Sequence, residues 1–130
     1  MHHFVSAGLP SILVRPEETV LALAGSEGSL TCVANAEPPP AISWFRNKVE
    51  LTNASFPSVT IYETTLNSTL DGNLLSILEV CPFEDTFSGN FSCQASNLYG
   101  NATALFQILV LSGELMFCSV QRGIDRVTPK

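Results

Sequence analysis

The 130-residue chain has few of the side chains on which catalysis and metal binding usually depend. Its two histidines, His2 and His3, stand at the extreme N-terminus, so the body of the chain has no imidazole to activate a serine or cysteine nucleophile. Its four cysteines include no Cys-x-x-Cys pair, and neither a glycine-rich phosphate loop nor an EF-hand spacing occurs. These absences predict that the protein has no catalytic residues, no metal site and no cofactor, and that it is not an enzyme.

Basic residues and long apolar runs are also scarce. The first scarcity argues against nucleic-acid binding, and the second argues against a membrane-spanning segment. Six lysines and arginines stand against 12 aspartates and glutamates, which gives a net charge of −6. Nucleic-acid binding needs clustered positive charge, so we expect no nucleic-acid partner. The most apolar stretch, residues 104–120, is interrupted by Gln107, Gly113 and Glu114, whereas a membrane-spanning helix needs ~20 nearly uninterrupted apolar residues. We therefore predict no membrane-spanning segment in this chain.

What the chain does contain is a series of short runs of strand-forming residues separated by turn residues. The runs lie at residues 12–14, 19–23, 29–34, 41–46, 59–62, 74–80, 89–96 and 102–111. No long helical period occurs, and Pro38-Pro-Pro40 excludes a central strand at that point because proline has no N–H to donate. Eight or nine short strands joined by turns predict an all-β fold, a β-sandwich. In the run 74–80, we expect Leu75 and Ile77 to face the core.

The last run, residues 102–111, is apolar on both sides. Leu105, Leu109 and Leu111 alternate with a second apolar series that begins at Ala104. A strand with one solvated face should be polar on that side. Two explanations remain open: the three leucines are covered by the tail or a neighbouring domain, or they form an exposed recognition patch.

Several of these segments together resemble the immunoglobulin superfamily, most closely its I-set or C2-type domains. The first element of the resemblance is Gly25-Ser-Glu-Gly-Ser-Leu-Thr-Cys32, followed by Pro38-Pro-Pro40-Ala-Ile-Ser-Trp44. The second element is Leu75-Ser-Ile77 with Val80, then Asp85, Gly89, Phe91 and Cys93. Trp44 follows Cys32 by 12 residues and Cys93 follows it by 61 residues, which is the spacing found in such domains. We assign residues 10–111 to an Ig-like domain and residues 112–130 to a tail or linker.

The resemblance implies an immunoglobulin-like β-sandwich of two antiparallel sheets with Greek-key connections. It also implies a Cys32–Cys93 disulfide that links the sheets, with Trp44 packed against it and Phe91 in the core beside Leu75 and Ile77. The alternative for the cysteines is a pair of reduced core thiols, as in cytosolic relatives.

Two features depart from the family pattern. Phe91 stands where the family usually has a tyrosine, and the segment from Asp85 to Phe91 is two residues longer than usual. We therefore do not expect Arg46 to form the family's usual salt bridge to Asp85. Cys81 and Cys118 fall outside the pattern altogether; a second bridge between them is an option, but separate thiols are favoured, and an exposed one could pair with another chain.

Four Asn-x-Ser/Thr sequons predict N-linked glycosylation at Asn53, Asn67, Asn90 and Asn101. All four fall in predicted loops, at a turn or on the outward side of a strand, where a glycan would not disturb the core. The alternative is that they are coincidental surface asparagines. Glycans on Asn90 and Asn101 would shade one sheet, which favours binding through the opposite sheet, the loop ends or neighbouring domains.

The resemblance and the sequons predict an extracellular module of a cell-surface adhesion molecule or receptor. Such a module acts by non-covalent recognition of another protein or as a spacer among neighbouring Ig-like domains. Residues 1–10 lack the features of a secretory signal peptide, so we expect the leader and any anchor to lie outside this sequence. The alternative is a cytoplasmic domain of a cytoskeletal or muscle scaffold protein, and a third option is a soluble decoy or truncated isoform. The sequence does not name the partner, because specificity resides in loops and exposed faces.

Overall fold

The computed structural model describes residues 8–52, 54–65, 73–112 and 118. Within them the chain forms nine strands and one short 3₁₀ helix, η1 (Asp85–Phe87). The strands are β1 (Ser11–Val14), β2 (Thr19–Leu23), β3 (Gly28–Asn35), β4 (Ala41–Arg46), β5 (Val49–Glu50), β6 (Val59–Thr65), β7 (Asn73–Val80), β8 (Gly89–Asn97) and β9 (Gly100–Leu111). The eight predicted strands are all present, and the two-residue β5 is an addition. Among the described residues no helix is long and apolar enough to cross a membrane.

The strands form two sheets, as predicted for a β-sandwich. One sheet has the order β1-β3-β7-β6 and the other the order β2-β9-β8-β4-β5. Neighbouring strands run antiparallel except for β2, which lies parallel to β9. Pro16 separates β1 from β2, and because proline interrupts a hydrogen-bonded ladder, the first half of this segment joins one sheet and the second half joins the other.

The core lies between the two sheets and contains two of the predicted core residues. Trp44 is fully buried and Phe91 is buried at 2% exposure. The Trp44 ring meets Phe106 edge to face with their centroids 6.2 Å apart, and the Phe91 ring stacks on Phe106 at 5.8 Å. These contacts join β4, β8 and β9 by aromatic packing of a kind that contributes beyond simple area burial.

The prediction that Leu75 and Ile77 face the core is wrong. In β7 the fully buried side chains are Ser76, Leu78 and Val80, while Leu75 and Ile77 are half-buried on the opposite face. Both faces of this strand carry apolar residues, Leu74 and Leu78 on one and Leu75 and Ile77 on the other, so alternation alone does not select the inner face. The Ser76 hydroxyl accepts a 2.8 Å hydrogen bond from the Trp44 Nε1–H. Because successive side chains of a strand point to opposite faces, the buried Ser76 requires its neighbours Leu75 and Ile77 to lie on the outer face.

We predict that alanine substitutions on the two faces of β7 differ in effect. Leu78→Ala should lower the free energy of unfolding by about 3 kcal/mol because it leaves a cavity between the sheets. Ile77→Ala on the outer face should cost about 1 kcal/mol, because the half-exposed site loses less burial. Urea denaturation of both variants measures the difference. Equal losses, or a larger loss for Ile77→Ala, would contradict the observed register.

Candidate interaction surface

A disulfide between Cys32 and Cys93 links the two sheets through the core. Cys32 lies on β3 and Cys93 on β8, with 6.7 Å between their Cα atoms, and neither side chain has any exposed area. Trp44 is the cross-strand neighbour of Cys93 in the β4–β8 ladder. The inferred pairing is therefore present, and it makes the sandwich a rigid support for the surfaces around it.

The other two cysteines are also joined, which corrects the prediction that they are separate thiols. Cys81 and Cys118 form a second disulfide, with their Cα atoms 5.7 Å apart. The sequence could not show where the chain runs after β9. In the structure the β2–β3 turn joins the end of β9 to the segment that follows Cys81. Ala24 N–H donates to Leu111 O, and the next residue, Gly25, donates its N–H to Phe83 O. Glu27 lies beside this bridge, its carboxylate within 4.8 Å of both sulfurs, but sulfurs bonded to each other are not free thiolates for a metal.

The side chain of Arg46, at the end of β4, bonds to backbone carbonyl oxygens of the β7–β8 connection and not to a carboxylate of that connection. Its guanidinium donates to Thr86 O and to Ser88 O, the latter at 3.1 Å. The same group lies 5.9 Å from the centroid of the Phe87 ring, a cation–π distance. The expectation that Arg46 does not pair with Asp85 agrees with these contacts.

The outer face of the five-stranded sheet carries five exposed leucines on two adjacent strands. The three predicted on β9 are exposed, Leu105 at 70%, Leu109 at 44% and Leu111 at 41%. On the adjacent strand β2, Leu21 is 64% exposed and Leu23 is 45% exposed. Leu21 is the ladder partner of Leu109, and Leu23 is the partner of Leu111. We call these five residues the leucine face.

The contribution of Leu21 and Leu23 was not found from the sequence. The run Thr19–Leu23 places Val20 and Ala22 on one side and the two leucines on the other, so both sides are apolar. Alternation alone therefore could not assign an exposed side. The parallel pairing of β2 with β9 identifies it, because Val20 and Ala22 pack against the core.

Two of the four predicted glycosylation sites lie on this same sheet. Asn90 on β8 and Asn101 on β9 are both exposed. Asn90 is the ladder partner of Gln107, between Leu105 and Leu109 on the neighbouring strand, whereas Asn101 lies at the far end of β9. Asn53 and Asn67 lie outside the described residues.

A shallow hollow lies beside Asn90. The β4–β5 hairpin turns through Asn47 and Lys48, whose positive φ values of 49° and 72° match a two-residue type I′ turn. The Asn47 N–H donates to Asn90 O at 2.8 Å, so the turn is held against the start of β8. The hollow has a volume of about 310 Å³ and is lined by Asn47, Lys48, Asn90, Phe91, Ser92 and Leu105.

The β8–β9 hairpin presents a second exposed apolar feature at one end of the sandwich. Leu98 is 76% exposed and Tyr99 is 59% exposed. The hairpin is anchored by Asn97, whose side-chain amide donates to Gly8 O at 2.8 Å and to Pro38 O at 3.0 Å. Tyrosine is enriched at the centres of protein interfaces, so this loop end is a second candidate contact surface.

Two sheets tied by a buried bridge beside a buried tryptophan are the arrangement that the resemblance implied. Comparison with known families agrees, since the immunoglobulin domain family matches residues 10–97. The chain belongs to the immunoglobulin domain family.

Relatives of this immunoglobulin domain include proteins whose names describe a glycoprotein and an adhesion molecule. It is 34% identical to human myelin-associated glycoprotein over 91 residues, 70% of this chain and 12% of that protein. It is 31% identical to neural cell adhesion molecule 1-B of Xenopus laevis over 93 residues, 72% of this chain and 8% of that protein. The chain thus spans a small fraction of these curated relatives.

Solved structures show the same fold. The immunoglobulin domain superposes on the titin domains Z1Z2 in complex with telethonin with a TM-score of 0.68 and 25% identity, covering 84% of this chain and 51% of that one. Immunoglobulin domains similar to this one therefore occur in adhesion proteins and in titin, and protein–protein recognition is the function that they share.

Proposed function

We propose that this immunoglobulin domain is an extracellular module that recognises another protein non-covalently or spaces neighbouring immunoglobulin-like domains. We further propose that the domain extends over residues 10–111, that it performs no catalysis and that it carries N-linked glycans. The similarity to a neural adhesion molecule and to a glycoprotein supports this assignment.

The observation that carries the proposal is that all four cysteines are in disulfides. Cys32 pairs with Cys93 and Cys81 with Cys118, and no cysteine is free. Disulfides form and persist in oxidising compartments, whereas cytosolic proteins keep their thiols reduced. A domain with both pairs closed fits the secretory route and the cell surface.

The loop end with Leu98 and Tyr99 is the recognition surface that we favour. Leu98 and Tyr99 are adjacent and exposed at the tip of a hairpin, and the hydrogen bonds of the Asn97 side chain hold the base of that hairpin in place. A rigid aromatic anchor binds with a small loss of conformational entropy. The sequon at Asn90 makes the leucine face less suitable as a free surface.

The second candidate function is that of an intracellular scaffold domain. The observation that favours it is the structural similarity to titin, at 25% identity. In that setting the cysteines would be reduced, and the domain would dock filament-associated partners.

The experiment that separates these functions uses cells that make the full-length protein. An antibody against this domain is applied to intact and to permeabilised cells, and the captured protein is analysed by non-reducing peptide mass spectrometry. We expect labelling of intact cells or of the medium, with peptides joined through Cys32–Cys93 and Cys81–Cys118. Labelling only after permeabilisation, with free thiols at all four cysteines, would favour the intracellular scaffold.

The recognition surface is tested with the multimerised domain against a panel of cell-surface ectodomains. Tyr99→Ala should abolish the binding of a partner that uses the loop end, and Leu105→Ala is the matched control on the outer sheet. Loss of binding with Leu105→Ala alone would place the contact on the leucine face instead.

A further inference from the structure

We propose that the leucine face is covered by the chain's own N-linked glycan, carried on Asn90. This rests on the proposed extracellular location, since only the secretory route supplies the donor. The glycan would act as an intramolecular shield that keeps this apolar face from associating with a second copy of the chain.

The sheet register places Asn90 among the leucines. Asn90 lies opposite Gln107, and Leu105 and Leu109 are two residues to either side of Gln107 on the same outward face. Such diagonal neighbours on adjacent strands are ~7–8 Å apart, within reach of the first sugars of a glycan. Leu21, the ladder partner of Leu109, follows one strand further on.

The hollow beside Asn90 gives the first sugar a place to lie. Its volume of about 310 Å³ is at the lower end of the ~300–1,000 Å³ typical of small-molecule sites. Leu105 supplies an apolar side for the C–H groups of a pyranose ring, and the Asn47 and Lys48 side chains supply hydrogen-bond donors for its hydroxyls. The base of the hollow is held by the hydrogen bond from Asn47 N–H to Asn90 O.

The Asn90 side chain is available for the attachment reaction. It is exposed, and among the described residues its amide makes no hydrogen bond. The co-reactant is a lipid-linked oligosaccharide pyrophosphate. The amide nitrogen of Asn90 forms a bond to C1 of the terminal N-acetylglucosamine, the C1–O bond to the pyrophosphate breaks, the lipid pyrophosphate leaves with the electron pair, and the amide nitrogen loses one proton.

A covering glycan fits this surface better than a second copy of the chain. Five leucines at 41% to 70% exposure form a patch in the range of a few hundred Å² that monomers carry. A standard stable interface takes ~800 Å² from each partner, so a second copy would associate with the bare face only weakly and at high protein concentration. The outward positions of β8 and β9 are also uncharged, although the protein carries a net charge of −6. Charge lies beside the leucines, in Arg15, whose guanidinium donates to Leu105 O, and in Lys48 of the hollow. Without a glycan, like-charge repulsion therefore opposes weak association at the edge of the face and not among the leucines themselves.

The test compares the secreted domain with two variants that each lose one glycan. Asn90→Gln removes the sequon within the leucine face, and Asn101→Gln removes the sequon at the far end of β9. Peptide mass spectrometry should find sugar on Asn90. Light scattering over a series of protein concentrations should show that Asn90→Gln shifts from monomer toward dimer as its concentration rises and that Asn101→Gln stays monomeric. Binding of an apolar dye should rise only for Asn90→Gln.

Two further samples separate shielding from a general loss of folding. Ser92→Ala removes the same sequon while leaving Asn90 in place, and it should behave as Asn90→Gln does. Adding Leu21→Thr and Leu109→Thr to Asn90→Gln should restore the monomer. Endoglycosidase trimming of the folded Asn101→Gln protein leaves only the first sugar on Asn90, so its dimer fraction should lie between those of the untrimmed protein and Asn90→Gln.

The outcomes distinguish this inference from the proposed function. Sugar on Asn101 with none on Asn90 would overturn the shield and leave the extracellular function standing. An Asn90→Gln protein that stays monomeric at every concentration and binds no more dye than the glycosylated domain would also overturn the shield. Absence of sugar from every sequon would count against both.

Discussion

Replacing Trp44 by alanine is expected to lower the free energy of unfolding by about 5 kcal/mol. Loss of a fully buried tryptophan alone costs ~3–5 kcal/mol because the surrounding sheets cannot close the cavity. The substitution also removes the donor to Ser76, whose hydroxyl stays buried without its partner at a cost of ~1–3 kcal/mol. The edge-to-face contact with Phe106 is lost as well.

Guanidinium denaturation followed by circular dichroism measures this loss, because the variant has no tryptophan to report by fluorescence. Phe45→Ala is the matched control: Phe45 is the next residue of β4, points to the other face and is half-buried. Ser76→Ala isolates the hydrogen bond and should cost about 1–2 kcal/mol. A Trp44→Ala variant no less stable than Phe45→Ala would show that the core is not organised around this ring.

Removing the inter-sheet bridge is expected to have an effect of similar size. The double variant Cys32→Ala/Cys93→Ala opens a link across 61 residues, which the loop-entropy estimate values at roughly 4 kcal/mol. Both sulfurs are fully buried, so their removal adds a small cavity. Replacing both cysteines together avoids leaving a single reactive thiol inside the core.

The measurement is thermal and denaturant unfolding of the wild type and the double variant, each with and without a thiol reductant. The wild type should lose stability on reduction by at least as much as the double substitution removes. The double variant should lose only what the Cys81–Cys118 bridge contributes. A wild type whose unfolding does not respond to the reductant would contradict the stabilising role of both bridges.

The site residues that could be predicted were those tied to a repeated local pattern. Strict alternation along β9 placed Leu105, Leu109 and Leu111 on one face opposite Ala104, but it left open whether that face is covered, and the structure shows it exposed. The alternation of β7 failed because its two faces are equally apolar, and a buried serine satisfied by a tryptophan N–H is a property of the packed pair. The partnership of Cys81 with Cys118 depended on where the chain runs after β9, which no local pattern encodes.

The amino-acid sequence by itself determined that this protein is an all-β sandwich, because strand alternation and turn residues act over short distances in the chain. Its resemblance to the immunoglobulin superfamily, carried by the Cys32–Trp44–Cys93 spacing, implied the type of sandwich. Only the tertiary structure decided which surface those strands build. It brought Leu21 and Leu23 beside the β9 leucines through a parallel pairing that begins after Pro16. It also placed Asn90 between Leu105 and Leu109. The residues of each such group are distant in the chain. They meet because the register between neighbouring strands is set by which face of each strand is buried in the common core.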